Sequence, residues 1–328
     1  MTVLVTGATG FIGTAVARCL LQRGDKVRVL LRESSQTTNL DDLQVERIVG
    51  DLGDSQSLNR AVDGCEGVFH VAADYRLWVP KPKEIYRINV DGTRDLLTAA
   101  HNAGVKRIVY TSSVATLGLN ADGSPSNEHT PVSVDQMIGH YKRSKYLAEE
   151  LVKEMVNEQG LPAVIVNPSA PVGPRDIKPT PTGRTILDAA RGAMPAYVDT
   201  GLNIVHVEDV AKGHLLAYDK GQVGQRYILG CENLSLREIF EIVCGLTEAK
   251  PPRVKLPVPL LMPVAWVAEA WAMVSGREPM VTRDGLKLAK KKMFFSSERA
   301  KAELGYDPRP AKIALADAVT WFKTNGYF

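Results

Sequence analysis

Tyr141 and Lys145 stand four positions apart in HYKRSKYLAEE, inside a segment with a helical pattern. Residues i and i+4 share a helix face, so the two side chains project together. A free phenol titrates near pH ~10 and is a poor base near neutrality. An ammonium within about 4–6 Å stabilises the phenolate and lowers that value. The hydroxyl then becomes a usable proton donor or acceptor. Such pairs also arise by chance on solvated helices, so a third residue matters. Ser113 closes YTSS at the end of an apolar run that reads as a strand. Parallel sheets place ligands at that carboxyl edge. A serine hydroxyl there can bond a substrate oxygen beside the phenol, although a strand-end serine can also merely cap the next segment.

A cofactor cradle accompanies these residues. The run VLVTG leads directly into GATGFIG, with Gly7, Thr9, Gly10, Phe11, Ile12 and Gly13. The first glycine permits a tight turn, the second a close backbone approach to a pyrophosphate, and the third helix–strand packing. The helix N-terminus adds positive potential. The loop sits at the first strand–helix junction, which is the context a dinucleotide fingerprint requires. An NAD site wants an acid at the end of the second strand. Here KVRVLLR ends in Arg32, and a guanidinium can pair bidentately with a 2′-phosphate. NADP is therefore favoured over NAD, with Glu33 as the acid that a two-residue shift would restore. Asp51 and Leu52 follow the third strand, where the adenine should lie. Asp51 can accept from its amino group or cap a helix.

The elements that must position these groups alternate. Strands are expected at 3–7, 26–32, 46–51, 67–73, 107–113 and 162–168, with helical patterns between them, including a long helix over about 85–103. Apolar strands alternating with helices imply an α/β fold, a doubly wound parallel sheet covered on both faces. After Pro168 the chain is rich in Pro, Gly and Thr and reads as an excursion. Strand, helix and strand resume through IVHVEDVAKGHLLAYD and RYILG. Ser235 and Glu238 then form a capping-box pair, and proline-broken helices fill the remainder.

The chain has 328 residues, 45% hydrophobic and 23% charged, with a net charge of +3. This balance, without a basic stripe, excludes a nucleic-acid partner. The four cysteines lie in no CxxC or metal-ligand spacing. They read as reduced thiols in a cytoplasmic protein, and no secretory signal is visible. The six histidines are scattered, so no metal is expected. His140 could touch substrate or open a helix. The apolar stretch 256–276 carries Pro257, Pro259, Pro263 and Glu269 and falls short of the ~20 residues that span a bilayer. An amphipathic helix, a peripheral membrane contact and a greasy wall for an apolar substrate all fit it.

In GATGFIG, GDL (50–52), HVAA (70–73), NVDGT (89–93), YTSS, YKRSK, NPSAPVGP (167–174) and HVEDVA (206–211), the chain resembles the extended short-chain dehydrogenase/reductases. Within them it is similar to the dihydroflavonol-reductase-like branch, and most of all to the bacterial hopanoid-associated sugar epimerase proteins. The resemblance implies a Rossmann-type domain from 1–168 with 203–232. A mostly helical substrate lobe would take 169–202 with 233–328. It implies Tyr141 as acid/base, Lys145 on the nicotinamide ribose, Ser113 on the substrate carbonyl and Asn89 near the active site. Ala72, Ala73, Thr111, Pro168 and Ser169 would line the cofactor cleft. The family often dimerises through the tyrosine-bearing helix, and some reductases stay monomeric, so both states remain open.

Reductases and epimerases of this family share these residues. The epimerases usually carry an arginine four residues before the histidine of HV-x-D, where this chain has Leu202. Arg175, Arg184 or Lys290–Lys292 could replace it, or be solvated cations. Trp266 and Trp271 in the apolar stretch suit an apolar or aromatic substrate. The leading expectation is an NADPH-dependent reductase of a ketone or aldehyde on a small, fairly apolar substrate. The rival is an NAD(P)-dependent sugar or nucleotide-sugar epimerase/dehydratase. A non-catalytic NADP sensor is a third reading, although such proteins lose the Tyr–Lys pair.

Overall fold

The computed structural model describes residues 1–277, 279 and 281–328. Seven parallel strands form its central sheet: β1 (Thr2–Thr6), β2 (Lys26–Leu31), β3 (Glu46–Val49), β4 (Gly67–His70), β5 (Arg107–Thr111), β6 (Ala163–Pro168) and β10 (Arg226–Leu229). Along β1 the side chains alternate between two cores, as a pleated strand requires. Val3 and Val5 meet α1 (Phe11–Gln22) and α7 (Val207–Lys220) through Val16, Leu20, Val210 and Ala217. Leu4 faces α2 (Ser55–Val62), α4 (Gly92–Asn102) and α5 (Gly139–Gln159) through Leu58, Leu96 and Val152. The strand order is β10-β6-β5-β4-β1-β2-β3. It reverses beside β1, which opens a crevice at the carboxyl ends of β1 and β4.

The long helix expected over about 85–103 is three pieces: α3 (Pro82–Tyr86), a π-helical turn (Arg87–Asp91) and α4. Such a turn carries one extra residue, which side-chain periodicity does not reveal.

A second sheet is centred on β9 (Gly201–His206), with β7 (Ala170–Val172), β11 (Glu232–Ser235) and β13 (Lys292–Met293) as partners. Residues 203–206, expected with the cofactor lobe, therefore lie outside the seven-stranded sheet. The free edge of β6 is taken by β10, so β9 pairs elsewhere. From 203–232, α7 and β10 are the elements that join the seven-stranded sheet and its helices. A short pair, β8 (Ala196–Tyr197) with β12 (Val254–Lys255), lies nearby in sequence. Helices α6 (Pro181–Ala190), α8 (Leu236–Thr247) and α12 (Ala311–Thr324) enclose a third core that includes Phe240 and Phe322. The expected capping box opens α8: Glu238 N donates to Ser235 Oγ at 3.2 Å and Ser235 N to Glu238 Oε2 at 2.7 Å. Helix α9 (Val258–Ser275) packs on α10 (Arg283–Leu288), and α11 (Glu298–Leu304) leans on α7.

Candidate active site

The glycine loop leaves β1 at the crevice. Gly7 has φ +70°, and a Cβ there would come within 2.7 Å of the Ala72 backbone. At Gly13 a Cβ would lie 2.1 Å from the Gly7 carbonyl oxygen. Gly10 occupies the cap position of α1, and no side chain caps that helix end. Backbone N–H groups of the first turn are thus left for an anion. These features fit a dinucleotide pyrophosphate. Arg32 directly follows the last residue of β2, exposed, with no acid pairing its guanidinium among the described residues. Glu33 lies in the turn beyond. Asp51 accepts from Gly53 N at 2.9 Å through one carboxylate oxygen, and half-buried Leu52 packs at Gly92. Ala72 N donates to Thr6 Oγ1 at 3.2 Å, while Ser169 N bonds the Leu229 carbonyl at 3.1 Å. Ala72, Ala73, Pro168 and Ser169 all follow or end a strand on the same carboxyl edge.

Tyr141, Lys145 and Glu149 succeed each other at one-turn spacing on α5. The Tyr141 phenol is pushed up by burial, and its hydrogen bond with Ser113 opposes the shift. Ser113 also accepts from Ala115 N at 3.1 Å, which leaves its proton for another partner. Lys145, 2% exposed, donates to Tyr110 Oη at 3.0 Å and to the Thr111 carbonyl at 2.8 Å. Burial brings its ammonium down to about 7, partly offset by Glu149. The expected lowering of the phenol by Lys145 is thus not what dominates here. The ammonium is engaged by Tyr110 and Thr111, and desolvation decides the sign for Tyr141.

Asn89 lies in the π-helical turn with its amide fully used. Its Oδ1 accepts from Asp74 N at 2.7 Å, and its Nδ2 donates to the Asp74 carbonyl at 2.8 Å and to Ser144 Oγ at 2.9 Å. It braces the segment after β4 against α5. His140 Nδ1 lies 3.1 Å from Tyr86 Oη. His206 caps α7, accepting from Glu208 N at 3.0 Å, and meets Asp317 at 3.1 Å.

This arrangement sets a phenol and an alcohol at the carboxyl edge of the sheet that also carries the glycine loop. The model of the NAD dependent epimerase/dehydratase family matches residues 3–230. The chain belongs to that family. It is an NAD(P)-dependent oxidoreductase of the extended short-chain dehydrogenase/reductase type. It is similar to a protein of Synechocystis sp. provisionally named a dihydroflavonol 4-reductase, 47% identical over 98% of this chain and 95% of that one. Sterol demethylase protein B of Methylococcus capsulatus is 39% identical over 99% of both chains. The solved structure of gox2253 superimposes with a TM-score of 0.89 at 56% identity, covering 99% of this chain and 98% of that one.

Several residues of this family member escape a reading of its motifs. Asn39, 4% exposed, donates to the carbonyls of Thr9 and Arg175, each at 3.3 Å, tying the glycine loop to the excursion. Arg175, a candidate for a substrate anion, is thereby held on the cofactor side and pairs with Asp42 at 3.4 Å. Leu202 packs at the third core. Glu149 accepts from Ser112, Thr116 and Asn167 at 2.5, 2.8 and 2.9 Å, and pairs with Arg226 at 2.9 Å. Burial alone would raise it, but Lys153, Arg226 and these donors bring it to about 2. In the sequence only its spacing, one turn beyond Lys145, marks Glu149; its partners lie in distant segments. Lys142 and Lys291 line a cavity of about 70 Å³ with Leu117, Met137 and Ile138. Burial, then Lys291, brings Lys142 down to about 8.

Proposed function

We propose that this chain is an NADPH-dependent reductase of a ketone or aldehyde on a small, fairly apolar substrate. The observation that carries the reading is the phenol of half-buried Tyr141, hydrogen-bonded to Ser113 at the carboxyl edge. Burial keeps the phenol protonated, which loads it to give a proton rather than take one. A carbonyl oxygen placed there meets two hydroxyls. Ser113 donates to it as negative charge develops, and Tyr141 delivers the proton. Lys145, one turn along α5 from Tyr141, would bond the nicotinamide ribose. Bound NADPH supplies hydride to the carbonyl carbon. Gly7, Thr9, Gly10, Phe11, Ile12 and Gly13 would hold the pyrophosphate, Asp51 and Leu52 the adenine, and Ala72, Ala73, Thr111, Pro168 and Ser169 the cleft walls. Arg32, which no acid pairs among the described residues, supports the 2′-phosphate. Asn89 acts as a positioning residue. We assign the cofactor lobe to the seven-stranded sheet with its helices and the substrate lobe to the rest. The four free thiols suit a cytoplasmic setting.

The apolar reading also has support in relatives, one of which is named for a sterol. The test is to follow reduced nicotinamide with carbonyl substrates of increasing apolarity, using NADPH and NADH in parallel. Net NADPH consumption is expected. Turnover of a sugar substrate with no net change in the cofactor would overturn the reductase reading.

One observation favours the second reading, an epimerase or dehydratase of a sugar or nucleotide sugar. Lys142, next to Tyr141 in sequence, shares a cavity with Lys291, and no acid pairs with either among the described residues. A substrate phosphate would suit them. The retained Tyr–Lys pair speaks against the non-catalytic sensor.

A further inference from the structure

Helix α9 is built inside out. Its inward stripe is Val258, Ala265, Glu269 and Ala272, and Glu269 is a charged residue among small ones. Its outward stripe is Leu260, Val264, Val267, Trp271 and Val274, at i, i+4, i+7, i+11 and i+14. These five side chains are 54–82% exposed. Trp266 and Met273 widen the stripe on one flank, at 58% and 69% exposure. A water-facing helix normally shows the opposite pattern, and a contiguous apolar patch marks an interaction surface.

The surroundings say what covers it. Residues 250–292 carry nine Lys or Arg against three Asp or Glu. Glu269 is neutralised by Arg283, whose Nε donates at 2.6 Å, and Arg283 stacks over Trp266 at 3.9 Å. Lys250, Arg253, Arg277, Lys290 and Lys292, in the sequence flanking the helix, are exposed. Apolar residues with tryptophans on one face, in a segment with a strong excess of cations, complement an anionic lipid surface. The helix satisfies the length and composition of a membrane span. It is nevertheless anchored at both ends, by β12 pairing with β8 and by α10 packing along it. Both anchors tie it to the body, as an interfacial helix requires and a free span does not.

We propose that α9 docks this chain on an anionic phospholipid bilayer, its outward stripe in the headgroup–acyl boundary. The inference rests on the apolar-substrate reading for its purpose, since it would bring the cleft to substrates dissolved in the bilayer. The docking itself is independent of turnover.

The test uses the full chain with vesicles of phosphatidylcholine alone and of phosphatidylcholine with phosphatidylglycerol, read by co-sedimentation and tryptophan emission. Expected results are binding to the anionic vesicles, a blue shift on binding, and weakening with salt. The double variant Val267→Glu with Val274→Glu should partition roughly a hundredfold less. NADPH titration and turnover of a water-soluble carbonyl, both unchanged, would show that it folds. Absence of binding to either vesicle overturns the proposal. So does a dimer, seen by sedimentation velocity, that the same substitutions dissociate, because the stripe would then meet a second copy. Loss of carbonyl turnover in the unaltered chain, with vesicle binding kept, would strike the reductase reading alone.

Discussion

At the scale of single residues, the chemistry concentrates on one phenol and one guanidinium. Tyr141→Phe keeps the ring and its packing while removing the proton. Turnover should fall by about 10²–10⁴-fold, with NADPH affinity within a few-fold. Retained turnover in steady-state assays would remove Tyr141 from the chemistry. Arg32→Ala removes an exposed cation that no acid pairs among the described residues, so the fold should not notice. Affinity for NADPH should drop by roughly 10–100-fold through loss of a charge-assisted contact. Affinity for NADH should hold. A parallel loss for both cofactors, measured by fluorescence titration, would count against a phosphate at Arg32.

Elements explain what was legible and what was not. Strands β1, β2, β4, β5 and β6, helix α1 and the glycine loop were readable because burial on both faces writes continuous apolar runs into the sequence. The Tyr141–Ser113 meeting was readable because both residues sit at recognisable element ends. The π-helical turn at Asn89 was not, because one inserted residue leaves the side-chain period almost intact. The placement of β9 was not either, since strand pairing depends on which edge is free and no local pattern encodes that. Polar hubs such as Asn39 and Glu149 draw partners from distant segments, which a linear reading does not assemble. The glycine loop yields a contrast between two positions of positive φ. A Cβ at Gly24, with φ +90°, meets no atom within 4 Å, whereas at Gly7 it strikes Ala72. Gly24→Ala should cost only backbone strain, about 1 kcal/mol. Gly7→Ala should lower both the melting temperature and, by about tenfold or more, cofactor affinity. Equal effects of the two changes would mean that the Ala72 contact is immaterial.

The whole molecule stores its polar core in a form sensitive to acid. His70 is held between Thr6 Oγ1 and Thr93 Oγ1 at 2.8 and 2.9 Å. Because Thr93 Oγ1 donates to the Asn89 carbonyl at 2.7 Å, it accepts from His70 Nε2–H. Burial, then Lys145, brings His70 down to about 3, and burial brings His214 down to about 4. Both lie below the ordinary value of 6.5, so the unfolded chain binds these protons more readily. Their contribution to stability is complete above about pH 6.5 and is lost as pH falls toward about 4 and about 3. Glu149 adds to the same trend, between about 4.5 and about 2. Urea unfolding across this range should show stability falling with acidity, and His214→Gln should flatten the slope between pH ~6 and ~4. A slope unchanged by His214→Gln would assign the acid sensitivity elsewhere.

The pairing of Glu149 with Arg226 spans 77 positions. A ribosome adding about 5–20 residues per second exposes the carboxylate several seconds before that guanidinium is made. Through that interval the nascent sheet lacks its last edge strand and keeps a charge it cannot yet bury. The half-made chain should therefore stay open, with Tyr141 and Lys145 assembling late, when β10 arrives to close the edge.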